Sequence, residues 1–189
     1  MHKFHIISAA TVAFIACTSA LAAEENRELG PHEHGHGRLN IAIEGKRVSM
    51  QLEVPGADVA GFEHEASTAE QKAVVEKAKA TLADALSMFK LPAAAGCKLA
   101  DAQVATHAGD EHKDEAGGQE KAGEQHHSEF HASYVIDCAA PEKLTGIDFG
   151  YFDAFAGALE LDINLVTPKG QYHYEVTREQ PRLQFGEIG

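Results

Sequence analysis

Two runs of alternating apolar residues, of opposite parity, constrain this chain more than any other feature. Leu39, Ile41 and Ile43 alternate with polar partners, and beyond Glu44-Gly45-Lys46-Arg47 the apolar positions become Val48, Met50, Leu52 and Val54. Successive side chains of a strand point to opposite faces. A two-residue turn at Gly45-Lys46 therefore pairs Ile43 with Val48, Ile41 with Met50 and Leu39 with Leu52, with all six on one face. A slip of one residue would turn one strand's apolar set into water, so the register is self-enforcing. The same pairing sets Val54 beside Gly37.

The segment entering this hairpin is Pro31-His32-Glu33-His34-Gly35-His36-Gly37. In an extended chain, residues two apart lie about 6.6 Å from each other on one face, close enough for two imidazoles to lean onto one ion. Three in a row span about 13 Å, so His32, His34 and His36 converge only if the segment bends. Gly35 and Gly37 permit a bend. Histidine is a common neutral nitrogen ligand of zinc, copper and nickel, and the segment reads as a metal site. The plainer alternative is a solvated histidine-rich arm. The loop from Pro55 to Glu65 leaves the hairpin at the same end, which brings Asp58, Glu63 and His64 near the arm. His64 is therefore read as a further ligand that folds back onto the arm; a surface or capping residue beside Phe62 is the alternative.

Ser67-Thr68-Ala69-Glu70 is a helix start with capping-box chemistry. Val75, Ala78, Leu82, Leu86 and Phe89 recur at steps of three and four, predicting a single amphipathic helix to about Lys90, with Pro92 ending it. Cys97 to Val104 is a weak strand, and Phe130, Ala132, Tyr134, Ile136 and Cys138 mark a stronger one. A short strand over 144–149 and a short helix over 149–158 follow. Leu159, Leu161, Ile163 and Leu165 then alternate, turn at Thr167-Pro168-Lys169-Gly170, and alternate back through Tyr172, Tyr174 and Val176. Pairing Leu165 with Tyr172 sets Asn164 opposite His173 and Asp162 opposite Glu175 on the outer face. A third cation site is one reading there; an exposed histidine on a sheet face is the simpler one. Residues 181–185 form a terminal edge segment. The fold class is α+β: antiparallel β-hairpins packed against one long helix and a short helix, with a disordered histidine-rich insertion.

Lys3, the apolar run from Ile6 to Cys17 and Ala20-Leu21-Ala22 read as a cleaved export signal over 1–22, leaving a single domain over 23–189. Lipidation at Cys17 is a lesser reading, because Phe14-Ile15-Ala16 is a poor lead-in. The apolar run is too short for a stable membrane span, and no other long one follows. The formal net charge of −13 argues against nucleic acid and anionic lipid as partners and favours cations. Cys97 and Cys138 remain after cleavage, and an even count in an exported chain predicts one disulfide. Two separate buried thiols are the alternative.

Between the two cysteines, about 105–128 is rich in glycine, acids and histidine and poor in apolar residues. It cannot bury enough surface to order itself and is expected as a flexible loop. His107, His112, His126 and His127, with His131 just inside the next strand, make a low-specificity cation collector of weaker affinity than the first site. A solvated linker is the alternative.

The motifs HEHGHGRLNIAIEG (32–45), PGADVAGFEHEA (55–66) and LELDINLVTPKGQ (159–171), with the histidine-rich insertion, resemble the ZrgA family of zinc-uptake proteins over essentially the whole mature chain. The resemblance implies a periplasmic zinc-binding accessory protein associated with a zinc ABC importer or its solute-binding protein. It carries over His32, His34, His36 and His64 without settling which of them share an ion. The zinc ion is then the cargo. Metal buffering or tolerance for zinc, copper or nickel without importer contact is a second reading. With only Met50 and Met88 left in the mature chain, cuprous ion lacks thioether ligands. A zinc hydrolase or lyase with Glu33 or Glu63 as base is a third; it lacks an HExxH helix, and its ligands would sit on a mobile terminus. The chain is read as a non-enzyme, and a monomer is expected.

Overall fold

The computed structural model describes residues 33–108 and 128–186. The expected leader, His32 and the insertion histidines His112, His126 and His127 lie outside the described residues. The first hairpin comprises β1 (His36–Glu44) and β2 (Arg47–Pro55). Ile43 faces Val48, Ile41 faces Met50 and Leu39 faces Leu52, and all six are buried. Gly45 turns the corner at φ 57°. Burying each such side chain stabilises the fold by roughly 1.5–3 kcal/mol.

β2 pairs with β5 (Ser128–Cys138), which pairs in turn with β4 (Cys97–Ala108). Cys97 and Cys138 face each other and form the expected disulfide. Strand β4 runs past the expected limit at Val104 to Ala108, because each added residue finds a ladder partner on β5, His107 opposite Glu129 among them. His107 is thus a strand residue, and the segment between the two strands contracts to 109–127.

The second hairpin, β7 (Glu160–Thr167) and β8 (Gly170–Thr177), keeps the expected register, with Leu165 opposite Tyr172 and Asn164 opposite His173. It does not stand apart: β7 lies parallel to β1, with His36 opposite Glu160 and Arg38 opposite Asp162. The expectation of antiparallel hairpins alone is corrected here. The result is one six-stranded mixed sheet in the order β4-β5-β2-β1-β7-β8. Its apolar face shares one core with Leu82, Met88, Phe89, Phe149, Tyr151, Phe152 and Phe155.

The expected single helix to Lys90 is split. Helix α1 (Gly56–Ala60) precedes it, and α2 (Ala69–Ala83) starts at Thr68, whose side chain accepts from Gln71 N in a capping box. The reciprocal residue is Gln71 rather than Glu70. At Asp84 the backbone leaves the helical region (ψ 64°), and a four-residue turn, α3 (Ala85–Met88), follows. The break frees Phe89–Lys90 to act as strand β3, paired with β6 (Gly146–Phe149), which also pairs with β9 (Arg182–Gln184). Tertiary packing overrides the local period here: Leu82, Ala85, Met88 and Phe89 are all essentially inaccessible, and a continuous helix could not offer the Phe89 backbone to Phe149. The short helix expected over 149–158 is one turn, α4 (Tyr151–Ala154), because Phe149 belongs to β6. Among the described residues, no helix is long and apolar enough to cross a membrane.

Candidate metal centre

The chain enters β1 through a tight turn in which His36 N donates to Glu33 O at 3.1 Å. Gly35, at φ 87°, occupies the left-handed region. Both of its backbone groups are held. Gly35 N donates to Asp58 Oδ1 at 2.8 Å, and Gly35 O accepts from Leu159 N and Glu160 N, each at 2.8 Å. A Cβ at Gly35 would meet Leu159 at 2.8 Å. The two histidines flanking this glycine therefore sit on a clamped turn, which corrects the expectation that the candidate ligands lie on a mobile terminus.

Each flanking histidine has a carboxylate partner. His34 Nε2 lies 3.0 Å from Glu63 Oε1. His36 Nδ1 lies 3.6 Å from Glu160 Oε1, across the parallel ladder. Asp58, brought in by α1, is almost completely buried. Burial pushes its carboxyl up; the Gly35 amide and the charges of His34 and His36 act the other way, while Glu63 adds to the rise, and the net direction is upward. Asp58 Oδ2 is buried with no hydrogen-bond partner among the described residues.

His64 lies one residue beyond Glu63, but its contacts are elsewhere. Its ring stacks on Phe62 at 4.8 Å, Nδ1 lies 3.1 Å from Glu65 O, and Nε2 lies 3.4 Å from Gln71 Nε2 in the capping box of α2. The side chain that meets the histidine turn in this structure is Glu63. Asp58 and Glu63 are the residues that reading for histidines alone passes over; their signal is their place in the loop that leaves β2 beside the arm. No three of these donor atoms lie within 4.8 Å of one another. The turn thus presents two imidazole–carboxylate pairs about one locked glycine.

A second histidine group stands at the same end of the strands, toward the β4 edge: His131 of β5 faces Glu53 of β2, which faces Arg38 of β1. His131 Nε2 lies 2.9 Å from Glu129 Oε2, and the His107 and His131 rings are 4.2 Å apart. Both lie where β4 and β5 bracket residues 109–127, so the structure joins two of the insertion's candidate ligands to rigid strands. Met50 and Met88 are buried in the core, which leaves no accessible thioether among the described residues.

No curated protein matches the chain at a significant level. The model of the ZrgA family zinc uptake protein matches residues 31–185, which include both histidine motifs and both hairpins, and the chain belongs to that family, whose role is in zinc uptake rather than in catalysis.

Proposed function

We propose that this protein captures zinc in the periplasm and passes it toward a zinc ABC importer, with the His34-Gly35-His36 turn as its specific capture point. The observation that carries this reading is the clamp on Gly35. Fixing the backbone between two imidazoles removes part of the ordering cost that a free histidine-rich arm would bear on binding. His34 and Glu63 stand 3.0 Å apart, close to the separation of about 3.4 Å between donors in a tetrahedral zinc site with bonds near 2.0–2.2 Å. His36 is the next ligand along, and His32 precedes the turn at the same spacing. His64 joins only by leaving Phe62 and Gln71.

The histidines of 107–131 form the collecting surface, weaker because it includes a segment of poor ordering propensity. Export is supported by the Cys97–Cys138 disulfide, a bond that persists in oxidising compartments, and by the leader-like residues 1–22. Open coordination positions suit a carrier, which must release its ion.

Calorimetric titration of zinc into processed, tag-free protein tests the reading. Loss of the tight site in an H34Q/H36Q variant, with its retention when residues 109–127 are replaced by a short linker, is the expected pair of results. Loss of tight binding with the linker variant alone would move the specific site to the insertion. Failure of a deletion strain to grow in chelated medium supports uptake, whereas sensitivity only to excess metal would indicate buffering.

A further inference from the structure

We propose that Asp162, His173 and Glu175 form a second divalent-cation site, on the outer face of the β7–β8 hairpin and separate from the histidine turn. The donor atoms of these three side chains lie within 4.8 Å of one another. The ladder sets their positions: Asp162 faces Glu175 directly, and His173 follows two residue pairs along on the same face, opposite Asn164.

Orientation of the imidazole is the second observation. Asn164 Nδ2 donates to Asn40 Oδ1 at 3.0 Å, which turns the Asn164 carbonyl oxygen toward His173, 3.3 Å from Nδ1. With Nδ1–H donating to that oxygen, the lone pair of His173 sits on Nε2. That nitrogen faces Asp162 Oδ1 at 3.8 Å. A lone pair aimed at a carboxylate oxygen is repelled unless a proton or a metal cation lies between them. Ligating histidines are held in this way, with the far ring N–H donating to a polar neighbour that sets the tautomer.

Charge is the third observation. Asp162 and Glu175 bring two negative charges, and the nearest base across the ladder, Arg38 opposite Asp162, reaches the other way to Glu53 at 3.5 Å. One imidazole with two carboxylates suits a borderline ion such as zinc, water completing the shell. Tetrahedral zinc needs donors about 3.4 Å apart, so side-chain movement of about an ångström closes the site. His173 and Asp162 are about half exposed, which makes this a readily exchanging position. It does not rest on the role given to His34 and His36.

The test is nitrogen-detected imidazole spectra of the processed chain during titration with zinc chloride alone. Zinc is expected to shift the Nε2 resonance of His173 in the parent and equally in H34Q/H36Q. The shift should vanish in D162N/E175Q, and N164L should need at least about 10-fold more zinc to produce it, the usual effect of removing an orienting partner. A His173 resonance that stays unmoved at millimolar zinc, or that moves identically in D162N/E175Q, overturns the site and leaves an Asp162–His173 ion pair. Failure of the histidine-turn reading would show separately, as unchanged tight binding in H34Q/H36Q.

Discussion

The carboxylate of Asp58 accepts the backbone N–H of Gly35 at 2.8 Å across 23 residues of sequence. With the Glu63–His34 contact at 3.0 Å, it is how the loop after the first hairpin holds the turn before it. Asp58→Ala would leave that amide buried and unsatisfied, at a cost of about 1–3 kcal/mol. Asp58→Asn, which keeps a carbonyl oxygen, should cost less. Gly35→Ala meets both a left-handed backbone at φ 87° and the Leu159 side chain at 2.8 Å, and should cost about 1–3 kcal/mol. Thermal unfolding of the three variants ranks them; equal melting temperatures for Asp58→Ala and the parent would refute the clamp.

The contacts of Glu63 and His64 separate two neighbours that a motif treats alike. His34→Gln and Glu63→Gln should each weaken tight zinc binding by at least about 10-fold, some 1.4 kcal/mol. His64→Gln, whose ring rests on Phe62 and Gln71, should change it by less than about 3-fold. Calorimetry on the three variants decides, and a larger loss from His64→Gln than from Glu63→Gln would show that the loop rearranges around the ion.

Zinc affinity should fall in acid, because an imidazole must be deprotonated to ligate. Titrations between pH 7.5 and 5 check this; a flat profile would assign the ion to carboxylates.

Alkaline stability depends on two buried phenols. Burial raises Tyr134, whose hydroxyl donates to Leu82 O at 2.9 Å. Burial also raises Tyr151 well above its ordinary value, with the Asp58 charge adding to the effect. The folded state then holds protons that the unfolded chain releases near pH 10. Stability from these groups is fully present below pH 10 and falls as pH climbs above it. Tyrosinate absorbance should show Tyr134 and Tyr151 ionising only as the chain unfolds.

The disulfide closes a loop spanning 41 residues, and in the chain-entropy model its removal costs about 4 kcal/mol. Cys97→Ser/Cys138→Ser should unfold at markedly lower denaturant while retaining zinc binding at the histidine turn, which lies outside that loop. Paired denaturation and titration measure both effects.

Local chemistry in the sequence determined much of this protein. Alternation with a parity switch specified both hairpin registers, because a shift by one residue would expose Leu39, Ile41 and Ile43 or Leu161, Ile163 and Leu165. Thr68 marked the helix start, and two cysteines specified one bridge. The histidines flanking Gly35 were legible as candidate ligands from their spacing alone. Three features came only with the tertiary structure. β1 and β7 lie parallel because two finished hairpins must bury one common face, and nothing in either pattern encodes that pairing. α2 stops at Ala83 because the Phe89 backbone gains a strand partner in Phe149, against its own helical period. The hairpin register put Asp58, Glu63 and His64 near the arm, but only the packed loop decides that Asp58 takes the Gly35 amide and that Glu63, not His64, meets His34.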